Sequence, residues 1–360
     1  MFGNGGLDAL FQRELSRQQT WDRLASSLQD GQSAYVVDEI QRFGVLMPNW
    51  LSEFIIALAV VTQKSRECDL QISLIVPERF VALCKKLTSL PVIPYNRKNN
   101  LQLLDSAALV REAMIDKLYL LPHSFSSAYF AFKTGVAHCR GISAEQRNQF
   151  LTEKVPEEIS TKTEHLSKEY SAVLECRYIE PSAWTGVDVE KHPHFGGYAV
   201  LCPGAGDDTK RWTGFEELVK IWADQNFVIL GDDSEVRIAK KIGQRLPHRV
   251  VNLTGQTSLE EAATIIAGAS VVISNDSGLM QIASYCGTPV VSIFGGSSPS
   301  WRRPLGKNNK VITSLDAPCR FCFKKECAKK NFECLVSILP EDVIGAAMEI
   351  KRDTGGLNSI

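Results

Sequence analysis

The stretch VVISNDSGLMQIAS, residues 271–284, decides the fold. It opens as a buried strand and closes as a helix with apolar residues at helical spacing. Between them stand an amide, a carboxylate, a hydroxyl and a glycine: Asn275, Asp276, Ser277 and Gly278. A strand running into a polar turn and then a helix is the repeating unit of a parallel α/β sheet. A helix starting at Ser277 or Gly278 presents unpaired backbone N–H groups and the positive end of its dipole. Gly278 lets a ligand come close to the backbone. Together these make an anion site suited to a phosphate or diphosphate. Asp276 has the wrong sign to touch phosphate and suits sugar hydroxyls or nearby N–H groups. Simple capping of the helix by Asp276 or Ser277 accounts for the same residue types, so the stretch alone leaves both readings open.

The flanking sequence favours the anion site. Strand, polar loop and helix recur through the second half of the chain. PGAGDDTKRW (203–212), GDDSE (231–235), TGQTS (254–258), NDSG (275–278) and GGSSPSWRRP (295–304) each follow an apolar strand. In a parallel sheet all these exits lie on one edge, so the loops converge. That brings Lys210 to the same edge as a partner for phosphate charge. Gly204 and Gly206 lack the third glycine of a dinucleotide fingerprint, and there is no Walker A pattern.

The first half alternates in the same way. FGVLMP (43–48) reads as a strand and SEFIIALAVVTQKS (52–65) as a helix, and LQISLIVP, PVIPY and KLYLLPHS read as further strands. Two doubly wound α/β domains facing a cleft are therefore expected, over 41–180 and 195–345. The Pro-, Gly- and His-rich stretch 179–197 links them. Residues 1–40 form an extension in which Leu7, Leu10, Leu15, Leu24 and Leu28 suggest a helix, packed on the body or docking a partner or membrane surface.

With 360 residues and a formal net charge of −1, the totals show no general attraction to nucleic acid or anionic membrane. The N-terminus lacks a secretory pattern, and the apolar run 54–61 is too short to span a bilayer. A cytoplasmic protein is expected, so its ten cysteines are not read as a disulfide framework.

The second-half motifs PGAGDDTKRWTGFEEL, TGQTSLEEAATIIAGASVVISNDSGLMQIAS and PVVSIFGGSSPSWRRPL resemble glycosyltransferase family nine, the ADP-heptose:lipopolysaccharide heptosyltransferases. MPNWLSEFIIA is similar to that family's Pro-Ser-Trp-Val-Gly-Asp start, and LLPHSFSSAYFAFKTGVAHCRGIS to its Pro-Asn-Ser-Phe segment. The resemblance covers most of 42–345. It implies a GT-B fold with donor nucleotide on the second domain and acceptor on the first. It also implies inverting chemistry that requires no metal or other cofactor, with ADP-L-glycero-D-manno-heptose as donor. The implied acceptor is lipid A–Kdo or inner-core lipopolysaccharide, met at the inner face of the cytoplasmic membrane.

The same resemblance assigns residues. The family's catalytic Asp falls on Glu53 and its phosphate-binding Lys on Lys210. Its phosphate and sugar loop falls on Asp276, Ser277, Gly278 and Leu279, and its adenine-side loop on Thr257 and Ser258. Gly204, Gly206 and Asp232 lie on the donor side, and Trp50, His123 and Ser124 on the acceptor side. Three positions depart from the pattern. Ser52-Glu53 stands for Gly-Asp, and Gln281 stands where a donor-side His is frequent. Read without the family, Glu53 is better taken as a surface carboxylate at a helix start than as a catalytic group.

PCRFCFKKECAKKNFECL resembles a Cys-rich segment of many heptosyltransferase II-type members. Cys319, Cys322, Cys327 and Cys334 could hold structural Zn²⁺ or stay reduced thiols. The interleaved Lys324, Lys325, Lys329 and Lys330 suit a phosphorylated lipid core or plain solvent. Two alternatives stay open: a family member using another nucleotide sugar, and a non-catalytic nucleotide-sugar-binding homologue.

Overall fold

The computed structural model describes residues 42–67, 71–144, 146–192, 197–244 and 246–355. The helix expected within 1–40 lies outside them. The described chain forms two six-stranded parallel sheets. The first contains β1 (Arg42–Leu46), β2 (Gln71–Pro77), β3 (Val92–Tyr95), β4 (Lys117–Leu120), β5 (His138–Ile142) and β6 (Glu153–Val155), in the order β3-β2-β1-β4-β5-β6. The second contains β7 (Tyr198–Cys202), β8 (Asn226–Ile229), β9 (Val250–Asn252), β10 (Val271–Asn275), β11 (Val290–Phe294) and β12 (Asn309–Thr313), in the order β12-β11-β10-β7-β8-β9. Both sheets thus repeat one doubly wound order. In each, the order reverses beside the first strand, between β1 and β4 and between β7 and β10. Loops diverge at such switch points and leave a crevice beyond the carboxyl ends of the strands.

The central strands β7, β10 and β11 are buried at every residue. Helices cover both faces, so these strands read as continuous apolar runs rather than alternating ones. The strands at or near the sheet margins, β5, β6 and β12, are shorter or more polar, and they extend the sheets beyond what the apolar runs announce.

Helix α1 (Leu51–Glu67) leaves β1 with Glu53 in its first turn and Lys64 and Arg66 in its last, matching its dipole. Its run from Phe54 to Val61 is buried throughout, because α1 packs on its own sheet and also on α2 (Gly278–Tyr285) of the second unit. Phe54 and Ile55 share one apolar core with Met280 and Tyr285. An apolar seam therefore holds the two switch points face to face. The C-terminal helix, Pro340–Gly355, runs beyond residue 345, and its Val343, Ala347 and Ile350 fill the core of the second unit. No described helix is long and apolar enough to cross a membrane.

Candidate functional site

Each residue of the polar tetrad has its own task. Asn275, fully buried, donates from Nδ2 to the Pro203 carbonyl at 2.7 Å and accepts from the Trp212 N–H at 3.1 Å, tying the β7 loop to the β10 loop. Asp276 sets its buried carboxylate 3.3 Å from Lys210 Nζ. Ser277 is the N-cap of α2, accepting from the Met280 N–H. At Gly278 a Cβ would sit 2.5 Å from a Leu51 side-chain carbon, so the glycine admits α1 of the first unit as well as opening the helix start. Ser277 caps the helix, and Asp276 faces the lysine.

A cavity of about 840 Å³ opens above this edge. Gly204, Gly206, Lys210, Asp232, Thr257, Ser258, Asp276, Ser277, Gly278 and Leu279 line it, together with Trp50 and Glu53 of the first unit. Gly206 faces open space, whereas a Cβ at Gly204 would strike the Glu235 carboxyl. Glu235 closes a capping box with Asp232, and burial, reinforced by the Asp232 charge, raises its pKa. Ser258 closes a second capping box with Glu261 at the start of the helix Leu259–Ala267.

A second cavity of about 370 Å³ lies on the first unit. It is lined by Trp50, Glu53, His123, Ser124, Glu169, Tyr170, Arg97, Lys162 and Trp301 among others. His123 Nε2 lies 2.7 Å from the buried Glu169 carboxylate. Ser124 caps the helix Phe125–Thr134. Trp50 stands 70% exposed at the mouths of both cavities. Glu53 also lines both, so one carboxylate stands where the two spaces meet.

Glu53 is not free in that position. Its Oε1 accepts from Arg302 Nη2 at 2.5 Å, a bond made from one unit to the other. Burial raises the Glu53 pKa, against the opposing charges of Arg302, His123 and Lys210. The segment carrying Arg302 is anchored through its backbone. Gln281 Nε2 donates to the Arg302 carbonyl at 2.8 Å, and His165 Nε2 lies 3.1 Å from the Arg303 carbonyl. Burial depresses His165 to about 4, so its ring is neutral, donating from Nε2 and accepting the Ser167 N–H at Nδ1. Arg302, Glu169 and Glu235 were not singled out from sequence. Arg302 had a visible signal in the double arginine after β11, whereas Glu169 lies mid-helix with nothing local to mark it.

One expectation needs correcting. Gln281 does not reach the donor cavity: it is fully buried and holds the Arg302 carbonyl and Ser284. Of the two readings of the cysteine segment, zinc gains no support, since no group of three or more His, Cys, Asp or Glu among the described residues is placed to hold an ion. Cys319, Cys322, Cys327 and Cys334 are free thiols. The backbone N–H groups of Phe332, Lys329, Lys330 and Asn331 bond the Cys327 sulfur and lower its pKa. Cys334 is committed instead to the apolar core beside Leu335 and Ile338.

Two doubly wound units with polar loops facing across a cleft define a GT-B glycosyltransferase fold. Residues 107–333 match the model of glycosyltransferase family 9 (heptosyltransferase), and the chain belongs to that family. It is 28% identical over 265 residues to lipooligosaccharide heptosyltransferase 2 of Haemophilus ducreyi, covering 64% of this chain and 74% of that one. A solved structure of E. coli ADP-heptose LPS heptosyltransferase II superposes with a TM-score of 0.73 at 22% identity, over 88% of this chain and all of that one. The iron-containing dodecameric glycosyltransferase TibC of enterotoxigenic E. coli shares the fold at a TM-score of 0.59 and 14% identity, over 87% and 78% of the two chains.

Proposed function

We propose that this chain is an inverting heptosyltransferase that moves heptose from ADP-L-glycero-D-manno-heptose to the lipopolysaccharide inner core. The observation that carries the reading is the position of Glu53, lining both the cavity with the anion-site loops and the cavity on the opposite unit. In this reading the donor diphosphate lies over the N-terminus of α2 beside Lys210, and its adenine side lies near Thr257 and Ser258. The acceptor hydroxyl enters past Trp50, His123 and Ser124.

The acceptor oxygen forms a bond to the anomeric carbon from the face opposite the diphosphate. The bond from that carbon to the β-phosphate oxygen breaks, and its electron pair leaves with ADP. The hydroxyl proton passes to Glu53, whose raised pKa suits a general base. Lys210, Arg302 and the helix dipole meet the charge that grows on the leaving diphosphate. These positive groups supply in the protein what a metal would otherwise supply, so the chemistry proceeds without one. The acceptor is a lipid A–Kdo or inner-core lipopolysaccharide, so the enzyme works from the cytoplasm at the inner membrane face.

A second reading has one observation in its favour. Glu53, the carboxylate that would take the proton, is engaged by Arg302, as expected of a protein that binds nucleotide sugar without turning it over. Acceptor-dependent ADP release from ADP-heptose separates the two. Release that is lost in Glu53→Gln supports the transferase. ADP binding without release from any nucleotide sugar supports the binding protein.

A further inference from the structure

The pair between Glu53 and Arg302 is built to come apart. The two residues come from different units, and both line the donor cavity. The Arg302 guanidinium stacks 3.9 Å over the Trp301 ring and has a buried Nε with no hydrogen-bond partner. A guanidinium carries five N–H donors, so this one is only partly satisfied. The Arg302 and Arg303 carbonyls are held by Gln281 and His165, so the side chain can turn while its backbone stays fixed. Lys210 is placed differently. It lies between Asp207 at 3.4 Å and Asp276 at 3.3 Å, all within the second unit. A diphosphate entering this cavity presents oxygens that match the arginine fork better than a single carboxylate contact does.

We propose that Arg302 senses the donor: the diphosphate draws its guanidinium away from Glu53, so the base is released to the acceptor only in the donor-bound enzyme. This rests on the transferase reading above and adds an order to it, donor before a competent base. The charged and titratable groups facing Glu53 are Arg302, Lys210 from the β7 loop, His123 from the β4 loop, and Glu169 and Tyr170 from the helix Leu166–Val173. Among these Arg302 is the largest influence favouring the ionised form. Its departure therefore leaves Glu53 holding a proton more tightly, which makes it a stronger base at the moment it is needed.

The test is a double-mutant cycle on ADP affinity, measured by calorimetry on the full chain with Glu53→Gln, Arg302→Met and the double variant. Glu53→Gln frees the guanidinium, so ADP binds about three- to fivefold tighter than to wild type. Arg302→Met weakens ADP about tenfold or more. In the Arg302→Met background the gain from Glu53→Gln disappears. Arg302→Lys, which keeps the charge, restores part of the affinity and guards against a mere folding defect. Repeating the titration in buffers of different ionisation heat adds a second readout. At a pH where Glu53 stays largely ionised, ADP binding to wild type takes up a fraction of a proton more than ADP binding to Glu53→Gln, and Arg302→Met reduces that excess. A gain that persists without Arg302, or no gain at all, overturns the proposal. Turnover without Glu53-dependent proton uptake leaves the transferase standing and removes the sensor, whereas failure to bind ADP removes both.

Discussion

Two carboxylate–cation pairs stand in the same cleft and were made in different ways. Lys210 and Asp276 both lie at strand exits of one sheet, at its switch point. Arg302 and Glu53 are separated by the whole cleft in sequence and meet only because α1 docks on α2. The first pair is a fixed part of one unit. The second depends on how the two units are set against each other. On the proposed function, donor binding is thus a local feature, while the carboxylate that joins two substrates is assembled from both halves.

The strongest way to break this contrast is to remove the joining carboxylate. Glu53→Gln is expected to lower kcat by about 10²- to 10⁴-fold while ADP binding is retained, read from ADP release beside calorimetry. Equal loss of both would make the residue a structural prop. In wild type the acid limb of the rate profile is expected above that of an ordinary glutamate, which a pH series of ADP release checks. The proposed base acts ionised and burial raises the Glu53 pKa, so activity should climb with pH through that raised value.

Next in size is the anchor behind Arg303. His165 is held neutral, with its folded pKa depressed to about 4 from the ordinary 6.5. The unfolded chain therefore binds more protons between those values. Stability present above pH 6.5 drains away as the pH falls toward 4, by about 3 kcal/mol at this site. Urea denaturation of wild type and His165→Gln at pH 7 and pH 4.5 measures it: the variant should lose less on acidification. An equal loss would place the pH dependence elsewhere.

Lys210→Ala sharpens the local side of the contrast. ADP should bind about 10- to 100-fold more weakly, and stability should drop as well, because the buried Asp276 loses its counter-charge. Calorimetry and thermal melts report the two effects separately. The smallest effect belongs to Gln281→Leu, which removes one bond to the Arg302 carbonyl, for a loss of about 1 kcal/mol. A steady-state donor KM raised a few-fold would register it, with global stability changed by no more than that amount.

The sequence made the second unit's edge readable because its chemistry is local. Gly204, Lys210, Thr257, Ser258 and Asp276 each follow an apolar strand within a few residues, and parallel strands bring such exits together without help from long-range packing. What escaped was set by tertiary contact. Arg302 could be seen as one of two arginines, but not as the partner of Glu53. Gln281 was read as a ligand because the resemblance places a donor-side His there, yet helical rotation turns it into the core. The marginal strands β5, β6 and β12 were missed since positions such as His138, Arg140, Glu153, Lys154, Asn309 and Lys310 break the apolar run. The cysteines shared a suggestive spacing. Burial raises the Cys334 pKa and the fold does bring Cys319, Cys322 and Cys327 near enough to add to that rise, but Cys334 also belongs to a packed core, which spacing did not announce.

The most direct test of the whole account is ADP release by the purified protein from ADP-heptose with a Kdo-bearing lipid A acceptor, run beside Glu53→Gln. The account requires release that depends on the acceptor and collapses in the variant while ADP still binds. Release undiminished in Glu53→Gln, or no release from this donor despite ADP binding, would contradict it.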